Sequence, residues 1–344
     1  MSAPKHMGGD KWFTYIAPKG KRATEYEELT LYVQPEPKNW QWQGWLTRFP
    51  DGRPPWVVES TALRCEDWFR FRDPSAMWQR PYVAFQAARV SHLEAMMRTA
   101  ASRGVFESFS ERWVGILEKY LQACAHPEYG LFRAFAYAQR EALSDSLGNA
   151  LTYNSSDKVR YAQDLAIYGM ELAGARAGFS ETAGKETWLN DPLLQGAREV
   201  VERIMALSDW GEITVASNLL FEPLWGSLIR AEFFMGVAPH NGDATTPMLA
   251  ETAESDLDRN VRWTKSFLQL VLDDQTNGSA NREILLEWLA RWRPLVDRAC
   301  RELAPLFDLA PVRPLEFAAA YGRVSTRAEA VLAQFGLSSA ALSS

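Results

Sequence analysis

The sequence predicts an all-α protein, built as one large bundle of long helices. From about residue 80 onward, apolar residues recur at about 3.6-residue spacing, which is the period of a helix buried on one side. Strict alternation of apolar and polar residues is rare, and TLYVQ at 30–34 is the one short candidate for a strand. The segment 209–238 is apolar on nearly every face, which is typical of a helix surrounded by other helices.

The first helices are predicted in close succession. One covers 82–103, and its inner stripe consists of Val83, Ala87, Val90, Leu93 and Met97. Another covers 108–124. Pro127 follows and can open a third helix, since proline suits the first turn, and that helix is expected to run to about Leu151.

The remaining helices complete the bundle. One is predicted over 158–177, with N-cap candidates at Asn154, Ser155, Ser156 and Asp157. Pro223 is expected to kink the central segment because proline removes a backbone donor within it. The other predicted helices cover 192–206, 247–273, 279–305 and 312–335.

Composition excludes several classes of protein. The formal net charge of −6 argues against a nucleic-acid footprint. The three cysteines are scattered, which argues against a disulfide framework or a zinc site. No stretch approaches the roughly 18–20 consecutive apolar residues of a membrane span, and the first residues lack the apolar run of a secretory signal. We therefore expect a cytoplasmic protein with neither a nucleic-acid nor a membrane partner.

Residues 1–79 differ from the rest, and we predict that they form an extended arm beside a helical domain over 80–344. The arm contains eight of the 18 prolines and seven of the 14 tryptophans. A long irregular segment is improbable unless it packs against something, and tryptophan is enriched at interfaces. The predicted subunit-interface residues are Trp40, Trp42, Trp45, Trp68, Arg70, Arg72, Asp73, Trp78, Arg80 and Tyr82.

A search for catalytic and metal-binding motifs is negative. A helical di-iron site needs two Glu-x-x-His pairs, and no histidine has a glutamate three residues before it. Glu222, Glu232 and Asp164 lie within apolar helical runs, where an ionised group needs a partner. They could hold a metal, but salt bridges to Arg230, Arg160 or another arginine are the stronger reading. No catalytic or metal-ligating residue is therefore predicted.

Several strings resemble the β (small hydroxylase) subunit of bacterial multicomponent di-iron monooxygenases. These are FRDP followed by W-x-RPYV, then RYAQDLAIY (160–168), SNLLFEPLWGSLIRAEFF (217–234), PHNGD (239–243) and LLEWLARWRP (285–294). FTYIAPKGKRATEYEELTLYVQP (13–35), leading to QGW (43–45), is most similar to the propane and alkene branch.

The resemblance implies a ferritin-like helical fold that carries no iron itself. It further implies a catalytic α subunit with the di-iron centre, a second copy of this chain in an (αβ)2 complex, a small coupling protein, and a reductase that uses NADH, FAD and a [2Fe-2S] cluster. The implied function is structural support of an NADH- and O2-dependent monooxygenase that epoxidises alkenes or hydroxylates propane. Two alternatives stay open: a stand-alone helical scaffold, and a metalloprotein with its own carboxylate-bound metal.

Overall fold

The computed structural model describes residues 18–31, 57–180 and 182–338. Within these ranges the secondary structure is helical and no β-strand is present, so the all-α prediction is confirmed. The α-helices are α1 Glu25–Leu31, α2 Gln79–Ser102, α3 Glu111–Ile116, α4 Ala125–Glu141, α5 Asp145–Ala175, α6 Ala183–Asn190, α7 Gln195–Met205, α8 Trp210–Val215, α9 Met235–Val237, α10 Thr245–Leu272, α11 Gly278–Glu302, α12 Ala304–Leu309 and α13 Phe317–Ala333.

The centre of the bundle is the continuous helical run from α8 to α9. Between these two helices the backbone forms wide π-helical turns over Ala216–Gly226 and Leu228–Phe234. From Trp210 to Phe234 every residue is buried except Pro223 and Ala231, which are partly buried. The prediction of a fully surrounded helix is therefore confirmed. Pro223 lies within a π-helical segment, where turns wider than those of an α-helix depart from the i→i−4 ladder that proline disrupts.

Long helices enclose this central run. α4 packs along α5, α10 packs on both α5 and the π-helical segments, and α11 and α13 also pack on the π-helical segments. One contiguous apolar core joins them, with Trp113, Trp210, Trp225 and Trp263 among its largest fully buried side chains. None of the described helices combines the length with the hydrophobicity that a membrane span requires.

The boundary between the third and fourth predicted helices was wrong. The helix is interrupted at 142–144. The Ser144 hydroxyl accepts a hydrogen bond from the Leu147 amide and so caps the start of α5. The expected caps from Asn154 to Asp157 instead lie inside α5, where Asn154 and Asp157 are buried and bond to other helices. Polar residues in mid-helix imitate a helix start in the sequence when their partners are distant along the chain.

The inner face of α2 also differs from the prediction. Leu93 and Met97 are buried as expected, but Val83 is 55% exposed. Tyr82 and Gln86 take the inner positions because both donate to the buried carboxylate of Asp157, at 3.0 Å each. Polar contacts therefore decide the rotation of the first half of this helix.

The strand considered for TLYVQ is not supported where the structure describes it. Thr30 and Leu31 are buried at the end of α1, while the rest of the string lies outside the described residues. A helical turn explains the same apolar spacing in so short a segment.

Candidate functional site: the N-terminal junction and the bundle centre

Residues 57–82, here called the junction, pack into the chain's own bundle. The Trp68 ring lies 5.4 Å from that of Trp210 and 6.5 Å from that of Phe267, and Phe71 meets the ring of Trp263 edge-on at 6.4 Å. Trp68 was predicted to contact another subunit; its side chain is buried within this chain, and a subunit contact for it remains a prediction. A tryptophan side chain has a large apolar area, and burying it against the neighbouring aromatic rings stabilises the fold.

Backbone and side-chain hydrogen bonds fasten the start of the junction. The Ser60 hydroxyl donates to the carbonyl of Glu141 at 3.0 Å and accepts from the Trp210 indole at 3.1 Å. The Asn281 amide binds both the N–H and the carbonyl of Arg64, at 2.9 and 2.7 Å. Because these contacts reach three separate helices, the junction is packed against the bundle; the division into an arm over 1–79 and a helical domain over 80–344 remains a prediction.

Arg72 links the junction to α1. Its Nε donates to Oε1 of Glu27 at 2.9 Å, and its carbonyl accepts from the Ser266 hydroxyl at 3.1 Å. Burial opposes ionisation of Glu27, but backbone donors from Lys19 and Thr24, with Arg72, hold the pKa of that carboxyl below its usual range. This arginine therefore has an internal partner, and a subunit contact for it remains a prediction.

Asp73 and Tyr82 are also satisfied within the chain. Asp73 accepts from the Ser75 and Met77 amides at 2.8 and 3.2 Å and so fixes the turn before α2, while Trp78 is the residue that begins that helix. Tyr82 is buried against Asp157. Both have hydrogen-bond partners inside this chain, and a subunit contact for either residue remains a prediction.

The other predicted interface residues have a different status. Arg70 and Arg80 are exposed, and Trp78 is half-buried, so all three can reach a partner. Trp40, Trp42 and Trp45 lie outside the described residues. A subunit contact for these six remains a prediction.

A buried ion network, here called the outer network, lies beneath α2. It joins α2, α5 and α10 through Asp157, Asp164 and Asp256 on the acidic side and Arg89, Arg160 and Arg259 on the basic side. Arg89 reaches Asp256 at 2.7 Å, and Arg160 reaches the same carboxylate at 2.9 Å. Burial, followed by the neighbouring Asp256, raises the pKa of Asp157 to about 6 despite its contact with Arg259. The outer network therefore attaches α2 to α5 and α10.

A second network occupies the bundle centre, and we call it the central network. Lys158 Nζ lies 2.5 Å from Glu222 Oε2 and 3.2 Å from Glu128 Oε2. Arg230 reaches Glu128 and Glu222 at 2.8 Å and Glu254 at 2.7 Å, one contact from each guanidinium nitrogen. The Ser227 hydroxyl donates to the second oxygen of Glu254 at 2.7 Å. These contacts bring together residues from α4, α5, α10 and the π-helical segments.

Four of the five charged side chains in the central network are almost completely buried, while that of Glu254 is 18% exposed. The side chains of Glu222, Arg230, Glu128 and Lys158 are 1–5% exposed. Burial opposes the charge of Glu222, but Arg230 and Lys158 lower the pKa of this carboxyl to about 2. For Glu128, burial prevails and raises the pKa. Ionised side chains persist at such depth only when each is paired, because their hydration has been lost.

The inward carboxylates considered from the sequence are therefore salt-bridged. Glu222 is held by Lys158 and Arg230, Asp164 by Arg160, and Glu232 by Arg323 and Arg327. Among the described residues, no three or more His, Cys, Asp and Glu side chains are grouped so that they could hold a metal.

Sequence reasoning missed the other members of the central network. A search that started from histidine passed over Glu128, Lys158 and Glu254. A search for inward charges on the four central helices, whatever their type, would have found all three.

Comparisons with known proteins now place the chain. The sequence model of the Methane/Phenol/Alkene Hydroxylase family matches residues 45–275. The chain belongs to this family. The resemblance to β hydroxylase subunits, which the sequence strings predicted, is thereby confirmed.

Two relatives and one solved structure show how far the similarity extends. The chain is 35% identical to the small subunit of the propane 2-monooxygenase hydroxylase component of Rhodococcus jostii (strain RHA1), over 94% of this chain and 89% of that protein. It is 31% identical to the methane monooxygenase component A beta chain of Methylococcus capsulatus, over 88% and 80%. A phenol hydroxylase chain from Pseudomonas sp. OX1 superposes with a TM-score of 0.77 at 24% identity, over 93% and 92%, and confirms the ferritin-like helical fold.

Proposed function

We propose that this chain is the non-catalytic β subunit of a multicomponent hydrocarbon monooxygenase and that it supports an iron-bearing α subunit. One observation carries the proposal. The centre of its ferritin-like bundle, where such folds bind metals, is filled by the ion pairs of Lys158 and Arg230 with glutamates. Family membership supplies the monooxygenase context. The α subunit would hold the di-iron centre, and electrons would come from NADH through a reductase with FAD and a [2Fe-2S] cluster.

The substrate we propose is a short-chain hydrocarbon, with propane first and alkenes second. Similarity to propane 2-monooxygenase small subunits from Rhodococcus jostii and a Gordonia strain, at 35% and 33% identity, favours propane. Inserting one oxygen atom into the substrate would be the work of the partner, so this chain affects selectivity only indirectly.

The contact surface we propose includes the outer face of α2 and the exposed part of the junction. Val83 and Phe85 are exposed on α2, at 55% and 38%, and the guanidinium of Arg89 lies 4.2 Å from the Phe85 ring centre. Arg70 and Arg80 add charge beside them in sequence, and arginine suits bidentate contacts with carboxylates at interfaces. The partners proposed for the complex are the α subunit, a second copy of this chain in an (αβ)2 assembly, and a small coupling protein. A cytoplasmic location follows from the need for NADH.

Co-expression with the product of a neighbouring gene that encodes two Glu-x-x-His helices tests the proposal. We expect a stable complex by size-exclusion chromatography, with iron in the complex and oxygenase activity once the reductase, the coupling protein and NADH are added, and neither iron nor activity in this chain purified alone. Iron near two per isolated chain, or activity without a partner, would contradict the proposal. Failure to form any complex would favour a stand-alone scaffold.

A further inference from the structure

The central network has the layout of a metal site with altered residues. Ferritin-like bundles bind two metal ions with one glutamate from each of two helices and a Glu-x-x-His pair from each of the other two. The central helices of this chain place charged residues at the corresponding steps. In chain order these are Glu128, Lys158-x-x-Tyr161, Glu222 and Glu254-x-x-Leu257.

Contacts in the structure support this correspondence. Glu128, Lys158 and Glu222 meet around one ammonium group, and Arg230 joins them to Glu254. The Tyr161 hydroxyl is buried and has no hydrogen-bond partner among the described residues. An unpaired buried hydroxyl is unusual. It lies at the step of α5 where a metal site would have its histidine.

The backbone supplies an independent observation. Glu222 and Arg230 both lie on π-helical turns, Ala216–Gly226 and Leu228–Phe234. Such turns are rare, mostly short, and frequent at functional sites, since they re-aim side chains into the interior. Here the wide turns direct one carboxylate and one guanidinium to the same point, where Arg230 reaches Glu222 at 2.8 Å.

The residues present do not fit a dimetal centre. Both histidine steps are filled by other residues, Tyr161 and Leu257, and one carboxylate step is filled by Lys158. The Lys158 ammonium lies between the carboxylates of Glu128 and Glu222, so the position a cation would need is taken. We propose that the bundle centre is a converted dimetal site, in which the side chains of Lys158 and Arg230 supply the positive charge of the metal ions.

This conversion makes a prediction about charge. The three carboxylates face two cations, and removal of Lys158 would leave one cation against three carboxylates. A divalent ion would then match the deficit, and carboxylate ligands suit Mn²⁺. The outer network differs, because loss of one arginine there leaves two cations against three carboxylates.

Mn²⁺ binding to full-length variants tests the proposal. The Lys158→Met chain should bind about one Mn²⁺. Its unfolding midpoint should rise with Mn²⁺ concentration, because a ligand that binds only the folded state stabilises that state. Wild type and Lys158→Arg, which keep the cation, should show neither effect. Arg160→Met is the matched control in the outer network and should also show neither effect. Anomalous diffraction at the manganese edge should locate the ion between Glu128 and Glu222, in crystals of this chain without a partner.

A second variant covers the case in which Lys158→Met does not fold. Lys158→Glu restores the fourth carboxylate, so the chain should fold when it is produced with Mn²⁺ and bind the ion more tightly than Lys158→Met does. The proposal is overturned if neither variant binds Mn²⁺ at the centre, or if wild type or Arg160→Met binds it equally well. The Mn²⁺ measurements use the isolated chain and do not depend on assembly with a partner. A negative outcome would therefore overturn the converted dimetal site without contradicting the proposed function.

Discussion

The two buried ion networks differ in what they hold together, although they begin at adjacent residues. Asp157 and Lys158 are neighbours on α5, and each side chain points into a different network. The outer network joins the bundle to α2, which is exposed along much of its length. The central network joins α4, α5, α10 and the π-helical segments to one another. The outer network positions a surface helix. In the central network, the proposed role of the two cations is to supply the positive charge that metal ions would supply.

The number of alternative partners also separates the two networks. Asp157 accepts from Tyr82, Gln86 and Asn260 in addition to Arg259. The glutamates of the central network depend on the two cations for most of their contacts. Loss of a cation at the centre should therefore leave more buried charge without a partner than the same change in the outer network.

The largest expected effect is that of Arg230→Met. The change removes a cation that contacts three glutamates, and breaking a buried ion pair on one side costs about 3–5 kcal/mol. Urea denaturation should show a loss of that size in the free energy of unfolding. The double variant Arg230→Met/Glu222→Gln should recover part of it, because one unpaired charge is removed as well. Additive losses in the double variant would contradict this account.

Arg259→Met should have a smaller effect, of about 2 kcal/mol, because Asp157 and Asp256 keep other donors. The same denaturation measurement applies. Amide hydrogen exchange should show faster local opening of α2 than of α4, since the outer network attaches the former. Equal losses for Arg259→Met and Arg230→Met would remove the distinction between the two networks.

Asp145 is a useful contrast to both networks because it is a largely buried carboxylate with no cation beside it among the described residues. Its Oδ2 has no hydrogen-bond partner in the described part of the chain, and burial raises its pKa to about 7. The unfolded value is about 3.9, so the folded state holds the proton more tightly. The stability linked to this group is therefore present below about pH 4 and is lost as the pH rises through about 7.

We expect Asp145→Asn to stabilise the protein by about 1 kcal/mol at pH 8, with the gain fading as the pH falls towards 4. Thermal unfolding at pH 5 and pH 8 would measure the difference between the two chains. A gain that is the same at both pH values would show that ionisation of Asp145 is not its cause.

The smallest expected effect on stability is that of Arg80→Ala, within about 0.5 kcal/mol, because the side chain is exposed. If Arg80 contacts a partner as proposed, the affinity of the complex should still fall measurably in co-purification or calorimetry. Arg112→Ala, which is exposed on α3 well away from the junction in sequence, is a suitable control. Unchanged affinity would exclude Arg80 from the interface.

Sequence patterns were reliable where the cause of structure is local. The 3.6-residue period placed the long helices, and the apolar run at 209–238 identified the central one, because both depend on residues a few positions apart. Short turns and polar residues in mid-helix were misread. The cap expected at 154–157 failed because Asn154 and Asp157 bond to Asn218 and Arg259, distant along the chain.

What the sequence by itself determined is the helical class, the order of the long helices and the family resemblance. Only the tertiary structure decided that Trp68 belongs to this chain's own core, since its neighbours Trp210 and Phe267 lie far along the sequence. It also decided that Lys158 meets Glu128 and Glu222, although Lys158 and Glu128 are inconspicuous when read singly. The physical reason is that a buried charge is stable only beside its counter-charge, and the counter-charge is brought there by the packing of separate helices.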